Sequence, residues 1–323
     1  AFSRVIANFL HIESVLPVCI VFLVIGMYFP LLILCGVIQG LKRFIWLAMV
    51  QMSWGGLRLV TAVLLVFGFS LGLISLLLGI IAATIGTVCI ALILVLPLFS
   101  YPEEQLDRNE LGRIYGLILP VIITISCITI LKNIDVVCAK RFFDPESAKA
   151  YANAAFFGSA FFTLTGIFMV MFPLVSEENT RGSNPITFLI KSCGFVSVLS
   201  VIGIVIAWFA PHIPMYIINV GEYVPGAMPL MRVFGLVILP VSLVNIMSNY
   251  FLARHQWRFI PVLVMGMILQ FLFIGFNHQT PLKMLAGIGI ANMTTFVCML
   301  MYSIIEHRNF TKTLLSRQES HGR

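Results

Sequence analysis

The sequence predicts an all-α polytopic membrane protein, on three observations. Of its 323 residues 60% are hydrophobic and only 10% charged, with a mean hydropathy of +1.03; soluble domains average about 45–50% apolar and about 25% charged. The apolar residues fall into nine runs, each long enough to cross about 30 Å of hydrocarbon as a helix. The connections are short, the longest polar stretches being 101–113, 176–185 and the tail after Glu306, and none has room for a soluble domain. Disorder is excluded as well, since it needs low hydrophobicity and high charge.

The nine runs follow in order. The first, 13–38, carries Pro17 and Pro30, which bilayer helices tolerate when neighbouring groups re-satisfy the backbone. The second, 44–69, opens after the basic pair Lys42-Arg43 and holds Arg58; the third is 72–99. The fourth, 113–140, contains Pro120 together with Lys132 and Asp135. Asp144-Pro145-Glu146 reads as an N-cap with proline at the first helical position, so the fifth run, 148–174, begins a new helix there. The sixth is 187–210, and His212, between Pro211 and Pro214, is expected at the interface beyond it. Runs 226–253 (with Arg232 and Pro240), 259–276 and 284–305 complete the set.

The net charge of +7 would suggest nucleic acid in a soluble chain, but here it reads as topology. With the tail inside, the inner loops hold Lys42, Arg43, Arg108, Arg113, Arg181, Lys191, Arg254 and Arg258, and the tail adds Arg308, Lys312, Arg317 and Arg323. The outer loops hold Arg4, Lys140, Arg141, Lys149 and Lys283. Twelve against five places the C-terminus in the cytoplasm. Seven cysteines without any C-x-x-C argue neither for a disulfide framework nor for zinc, and the six histidines show no metal spacing.

An odd number of spans leaves the N-terminus outside, yet the chain opens Ala1-Phe2-Ser3 with no signal-peptide pattern. Sliding the chain by 215 residues puts Lys42-Arg43-Phe44 on Trp257-Arg258-Phe259, each a basic pivot opening a span, and Gly72 on Gly287. Parallel repeats of this kind are common in transporters. The three spans between about 113 and 210 then have no partners at the front. The expectation is a parent of two six-helix halves, from which about three N-terminal helices are missing.

Particular segments carry a resemblance. Asn133-Ile134-Asp135-Val136-Val137, followed by Phe142-Phe143-Asp144-Pro145-Glu146 and Ala150-Tyr151-Ala152, resembles the seventh-to-eighth helix junction of polysaccharide flippases. Phe172-Pro173-Leu174-Val175-Ser176 is similar to a short helix end of that family, and 36–44 to its fourth-to-fifth helix turn. The family belongs to the multidrug/oligosaccharidyl-lipid/polysaccharide exporter superfamily. The resemblance implies that the nine helices are equivalent to helices 4–12 of a two-lobe, twelve-helix exporter working by alternating access. It divides the chain into a remnant N-terminal lobe (1–107), a six-helix C-terminal lobe (108–310) and a cytoplasmic tail (311–323).

Charge inside a span asks for a reason, since it costs about 2.5–3.5 kcal/mol on insertion scales. Arg58, Lys132, Asp135 and Arg232 qualify, and all four fall in the outer half. Lys132 and Asp135 are three apart and can pair on one helix face. Ser126, Thr129 and Asn133 lie beside them as a polar stripe. One reading makes these residues a cavity wall whose cations hold the pyrophosphate of a lipid-linked sugar. The other is a structural ion pair between packed helices, with Arg232 snorkelling to the outer interface. Arg58 and Arg232 have no evident partner within their own spans. Asp135 also invites a proton or sodium relay, although a paired Lys132 would hold it ionised. Asn245 and Asn249, one turn apart, line the cavity or bond across helices.

No G-x-x-x-x-G-K-[ST] loop is present, so ATP hydrolysis by this chain is not expected. The expected function is translocation of polyprenyl-pyrophosphate-linked oligosaccharide across the cytoplasmic membrane for cell-surface polysaccharide assembly. No cofactor and no catalysis are expected. The expected partners are the lipid-linked substrate, membrane lipid and polysaccharide-assembly enzymes, and not nucleic acid; energy would come from an ion gradient (H+ or Na+), the membrane potential or substrate flow. The alternatives are a cation-coupled exporter of drugs or other small molecules, and a membrane-embedded polysaccharide ligase or polymerase.

Overall fold

A computed structural model of the chain describes residues 15–69, 73–97, 108–164, 186–218, 224 and 226–321, together with Ser3 and Phe9. Regular structure among the described residues is helical throughout. The helices are α1 (Leu16–Gly40), α2 (Phe44–Phe69), α3 (Leu73–Val95), α4 (Arg108–Phe142), α5 (Pro145–Leu164), α6 (Ile186–Phe209), α7 (His212–Ile218), α8 (Ala227–Ala253), α9 (Ile260–Asn277) and α10 (Pro281–His321). All but α5 and α7, eight in number, are long and apolar enough to cross a membrane. The chain is therefore a multi-pass, all-α membrane protein. The expected extension of α5 over 165–174 lies outside the described residues, as does Gly72.

The chain divides into two compact units, Ala1–Asp107 and Arg108–Arg323. In the first, α3 packs against both α1 and α2. Small residues let the backbones approach: a Cβ added at Gly79 would stand 3.1 Å from the Ala62 amide nitrogen, and Thr61 Oγ1 donates to the Gly79 carbonyl at 2.9 Å. Without a hydrophobic drive between helices in lipid, such close van der Waals packing supplies much of the association.

In the second unit α8 is the hub, touching α4, α5, α6, α7 and α10, while α9 lies against α10 and α4. The hub is apolar nearly all round, and its buried residues run from Ala227 to Ala253, as a fully enclosed helix requires. Peripheral helices instead present bare aromatic rings outward: Phe67, Phe209 and Phe276 are 83%, 84% and 78% exposed, a surface suited to acyl chains.

The ends of the helices follow from local chemistry. Asp144 caps α5 by accepting a bond from the Ser147 amide at 3.0 Å, and that bond holds its carboxyl below the usual carboxylate range. Lys140 and Arg141, unexplained by loop charge, occupy the last turn of α4, where cations complement the helix dipole. Helices α1 and α8 end alike. Lys42 and His255 both adopt φ 56°; Lys42 N and Arg43 N bond back to the Gln39 and Ile38 carbonyls, and His255 N and Gln256 N to those of Leu252 and Phe251. Both ends are Schellman motifs closed by a non-glycine left-handed residue.

This corrects the gapless register at 215. The left-handed residues are 213 apart, and Phe44 starts α2 whereas Phe259 caps α9. Gly287 lies inside α10, which begins at Pro281. The parallel is one of packing order, since α10 touches both α8 and α9 just as α3 touches both α1 and α2. Three further boundaries differ from expectation. α4 starts at Arg108, α7 forms around His212, and α10 continues helically through the polar tail to His321.

Candidate functional site

Among the described residues, Arg58, Lys132, Asp135 and Arg232 each meet something other than a counter-ion. In the first unit Arg58 is exposed on α2, about 21 Å along the helix. Its guanidinium lies over the Trp54 ring at 5.5 Å, and the other edge of that ring is met by Tyr28 at 5.9 Å. Arg58 therefore does have a partner within its own span, one turn back. A cation over an aromatic face gains about 0.5–1 kcal/mol when exposed and more when desolvated, while its hydrogen-bond donors remain available.

In the second unit Lys132 and Asp135 share a face of α4 but do not pair. Lys132 is half-buried, with Nζ 4.4 Å from the Phe162 ring centroid on α5. Asp135 is 3% exposed and accepts a bond from the Tyr151 hydroxyl at 3.0 Å. Its second oxygen, Oδ1, is buried with no hydrogen-bond partner. Tyr151 is fully buried and is held in place by the edge of Phe234 from α8, ring centroids 5.2 Å apart. The ion-pair reading of Lys132 and Asp135 is thus replaced by an Asp–Tyr bond across the α4–α5 hairpin. With it goes the argument that Lys132 holds Asp135 ionised.

Arg232, in the second turn of α8, is exposed and lies 6.0 Å from the Trp208 ring of α6. Among the described residues none of Arg58, Lys132 and Arg232 has an acid within ion-pair distance. Ser126, Thr129 and Asn133 form an exposed stripe along α4, within which the Asn133 amide donates to the Thr129 carbonyl at 2.9 Å. Asn245 and Asn249 bond one another along α8 at 3.1 Å rather than reaching another helix.

Several polar residues escaped the sequence reading. Tyr151 is the chief one, and a signal for it existed: α4 and α5 form a tight antiparallel hairpin, so Asp135 and Tyr151 stand nearly equidistant from its turn at 143–144. Gln270 is 1% exposed and ties α9 to α4 by donating to the Leu131 carbonyl at 3.1 Å. No group of three His, Cys, Asp or Glu able to hold a metal occurs among the described residues. Fold and site together define a multi-pass helical membrane protein with basic side chains set on aromatic rings. No family model, curated protein or solved structure matches the chain.

Proposed function

We propose that the protein is a flippase that translocates polyprenyl-pyrophosphate-linked oligosaccharide during cell-surface polysaccharide assembly. The observation that carries the reading is the set Arg58, Lys132 and Arg232, each braced against an aromatic ring and none neutralised by an acid among the described residues. Cations retained within apolar spans without a counter-charge suit an anionic ligand. An aromatic platform fixes the head group without using its N–H donors, and arginine offers a fork that matches phosphate oxygens. The likeness of residues 133–152 to a polysaccharide-flippase helix junction supports the same substrate class.

The test is complementation. The protein is expressed in cells lacking their own polysaccharide flippase, and surface glycan is measured. Restored glycan, lost again on replacing Arg58 or Arg232 by Ala in protein that still inserts, is the expected result. Unchanged glycan in those variants removes the pyrophosphate role.

One observation favours a second reading, a cation-coupled exporter of small molecules. Asp135, buried beside Tyr151 with one oxygen unpartnered, is suited to take up a proton or a sodium ion. Protection against dyes or drugs without restored glycan would select that reading.

A further inference from the structure

Two hollows lie along α10, one where it passes the α8–α9 turn and the next where it packs against α9. The first, about 230 Å³, is polar and is lined by His255, Gln256, Trp257, Arg258, Tyr302 and Glu306. The second, about 310 Å³, is an open groove whose lining includes Val262, Met265, Leu269, Thr294 and Cys298. Val262 is four residues past Arg258 and Cys298 is four before Tyr302, so the hollows stand about 6 Å apart along the helices. The apolar part of α10 ends at Arg308, which sets the polar hollow at the edge of the hydrocarbon. Trp257 and Tyr302 beside it are the residue types that anchor at such an edge.

The polar hollow carries both signs of charge without joining them. Gln256 Nε2 donates to Glu306 Oε1 at 2.7 Å, while Gln256 Oε1 is buried and accepts from nothing. The amide cannot flip to satisfy that oxygen without losing the bond to Glu306. Arg258 is exposed and makes no ion pair with Glu306 among the described residues. The hollow thus offers an arginine fork on one side and a charged hydrogen-bond acceptor, the Glu306 carboxylate, on the other. Beyond it the groove provides an apolar bed with exposed Met265 and Cys298.

We infer that the α9–α10 seam holds one phosphatidylethanolamine molecule. Its phosphate meets Arg258, its primary ammonium donates to Glu306, and an acyl chain lies in the groove from Val262 to Leu269. A primary ammonium both supplies the counter-charge to the Glu306 carboxylate and donates N–H bonds to it. Phosphatidylcholine carries the positive charge without the donors, and phosphatidylglycerol has hydroxyl donors without the positive charge. The lipid is a resident of the fold, distinct from any transported carrier.

The test is native mass spectrometry of the intact protein released from nanodiscs of equal phosphatidylethanolamine, phosphatidylcholine and phosphatidylglycerol. One phosphatidylethanolamine is expected to stay bound, about tenfold above either competitor, the size expected for one charge-assisted hydrogen bond. Glu306→Gln should reduce it to the level of the others. Thr294→Phe, which fills the groove without touching the polar hollow, should release it while the protein stays monodisperse. Equal retention of the three lipids, or preference unchanged in both variants, would overturn the assignment. So would full displacement by glycerophosphoethanolamine, which has the head group but no chains.

Discussion

At the scale of the residue, the decisive contacts are single bonds made in a medium that offers no substitute. Asp135 and Tyr151 are the clearest pair, since neither has water to fall back on. Removing the hydroxyl in Tyr151→Phe leaves the carboxyl with no side-chain donor, and should lower stability by about 1–3 kcal/mol. In an Asp135→Leu background the same change should be nearly neutral, because both polar partners are then gone. Thermal unfolding of the four proteins in one detergent measures the difference, and equal losses in the two backgrounds would remove the bond from the account. Asp144 gives a prediction outside the membrane. Its folded carboxyl lies below its unfolded value because the Ser147 amide donates to it. Its contribution is therefore present above about pH 4 and fades as pH falls through the lower folded value. Asp144→Ala should destabilise the start of α5 at neutral pH and erase that acid-dependent part, as amide exchange at Ser147 and Ala148 between pH 3 and pH 7 would show.

At the scale of the element, much was readable from the chain and some was not, for definable reasons. Span positions followed from hydropathy because length and apolarity decide crossing whatever the neighbours do, and the Asp144-Pro145 start of α5 followed from cap chemistry. The turn after α1 was legible as a pivot, but its αL residue was not, because Lys42 and His255 stand where glycine is the usual signal. Replacing Lys42 by Gly should stabilise the α1–α2 turn by up to about 1 kcal/mol, by relieving a left-handed residue that carries a Cβ; loss of stability would deny the strain. Close helix approach is likewise invisible to hydropathy. Gly79 and Gly26 look alike in sequence, yet only Gly79 faces a neighbouring backbone. Gly79→Ala should cost about 1–3 kcal/mol through overpacking. Gly26→Ala, with nothing within 4 Å of its added Cβ, should gain about 0.5–1 kcal/mol from helix propensity. Matching losses at the two sites would show that the α2–α3 contact is not tight. Asp135 was found because a charge in a span stands out, whereas its donor was missed because a tyrosine there does not. Arg58 and Trp54, four apart on one helix, obey the same-face rule, but an aromatic partner carries no charge to mark it in the sequence.

At the scale of the whole molecule, two compact units each carry basic side chains laid on aromatic rings: Arg58 on Trp54 in the first, Lys132 on Phe162 and Arg232 on Trp208 in the second. A structural salt bridge would have used an acid, and snorkelling alone would not require an aromatic partner; the shared arrangement is what the proposed anionic ligand explains. Arg and Lys then differ in a testable way, since only the planar fork engages two phosphate oxygens. The most direct measurement is the rate at which the protein, reconstituted in proteoliposomes, translocates a fluorescent polyprenyl-pyrophosphate oligosaccharide. Arg58→Ala and Arg232→Ala are each expected to slow translocation by about 10- to 100-fold, the worth of one lost charge-assisted bond, with Arg→Lys between Ala and the unsubstituted protein. Rates equal to the unsubstituted protein's in both Ala variants would contradict the pyrophosphate role.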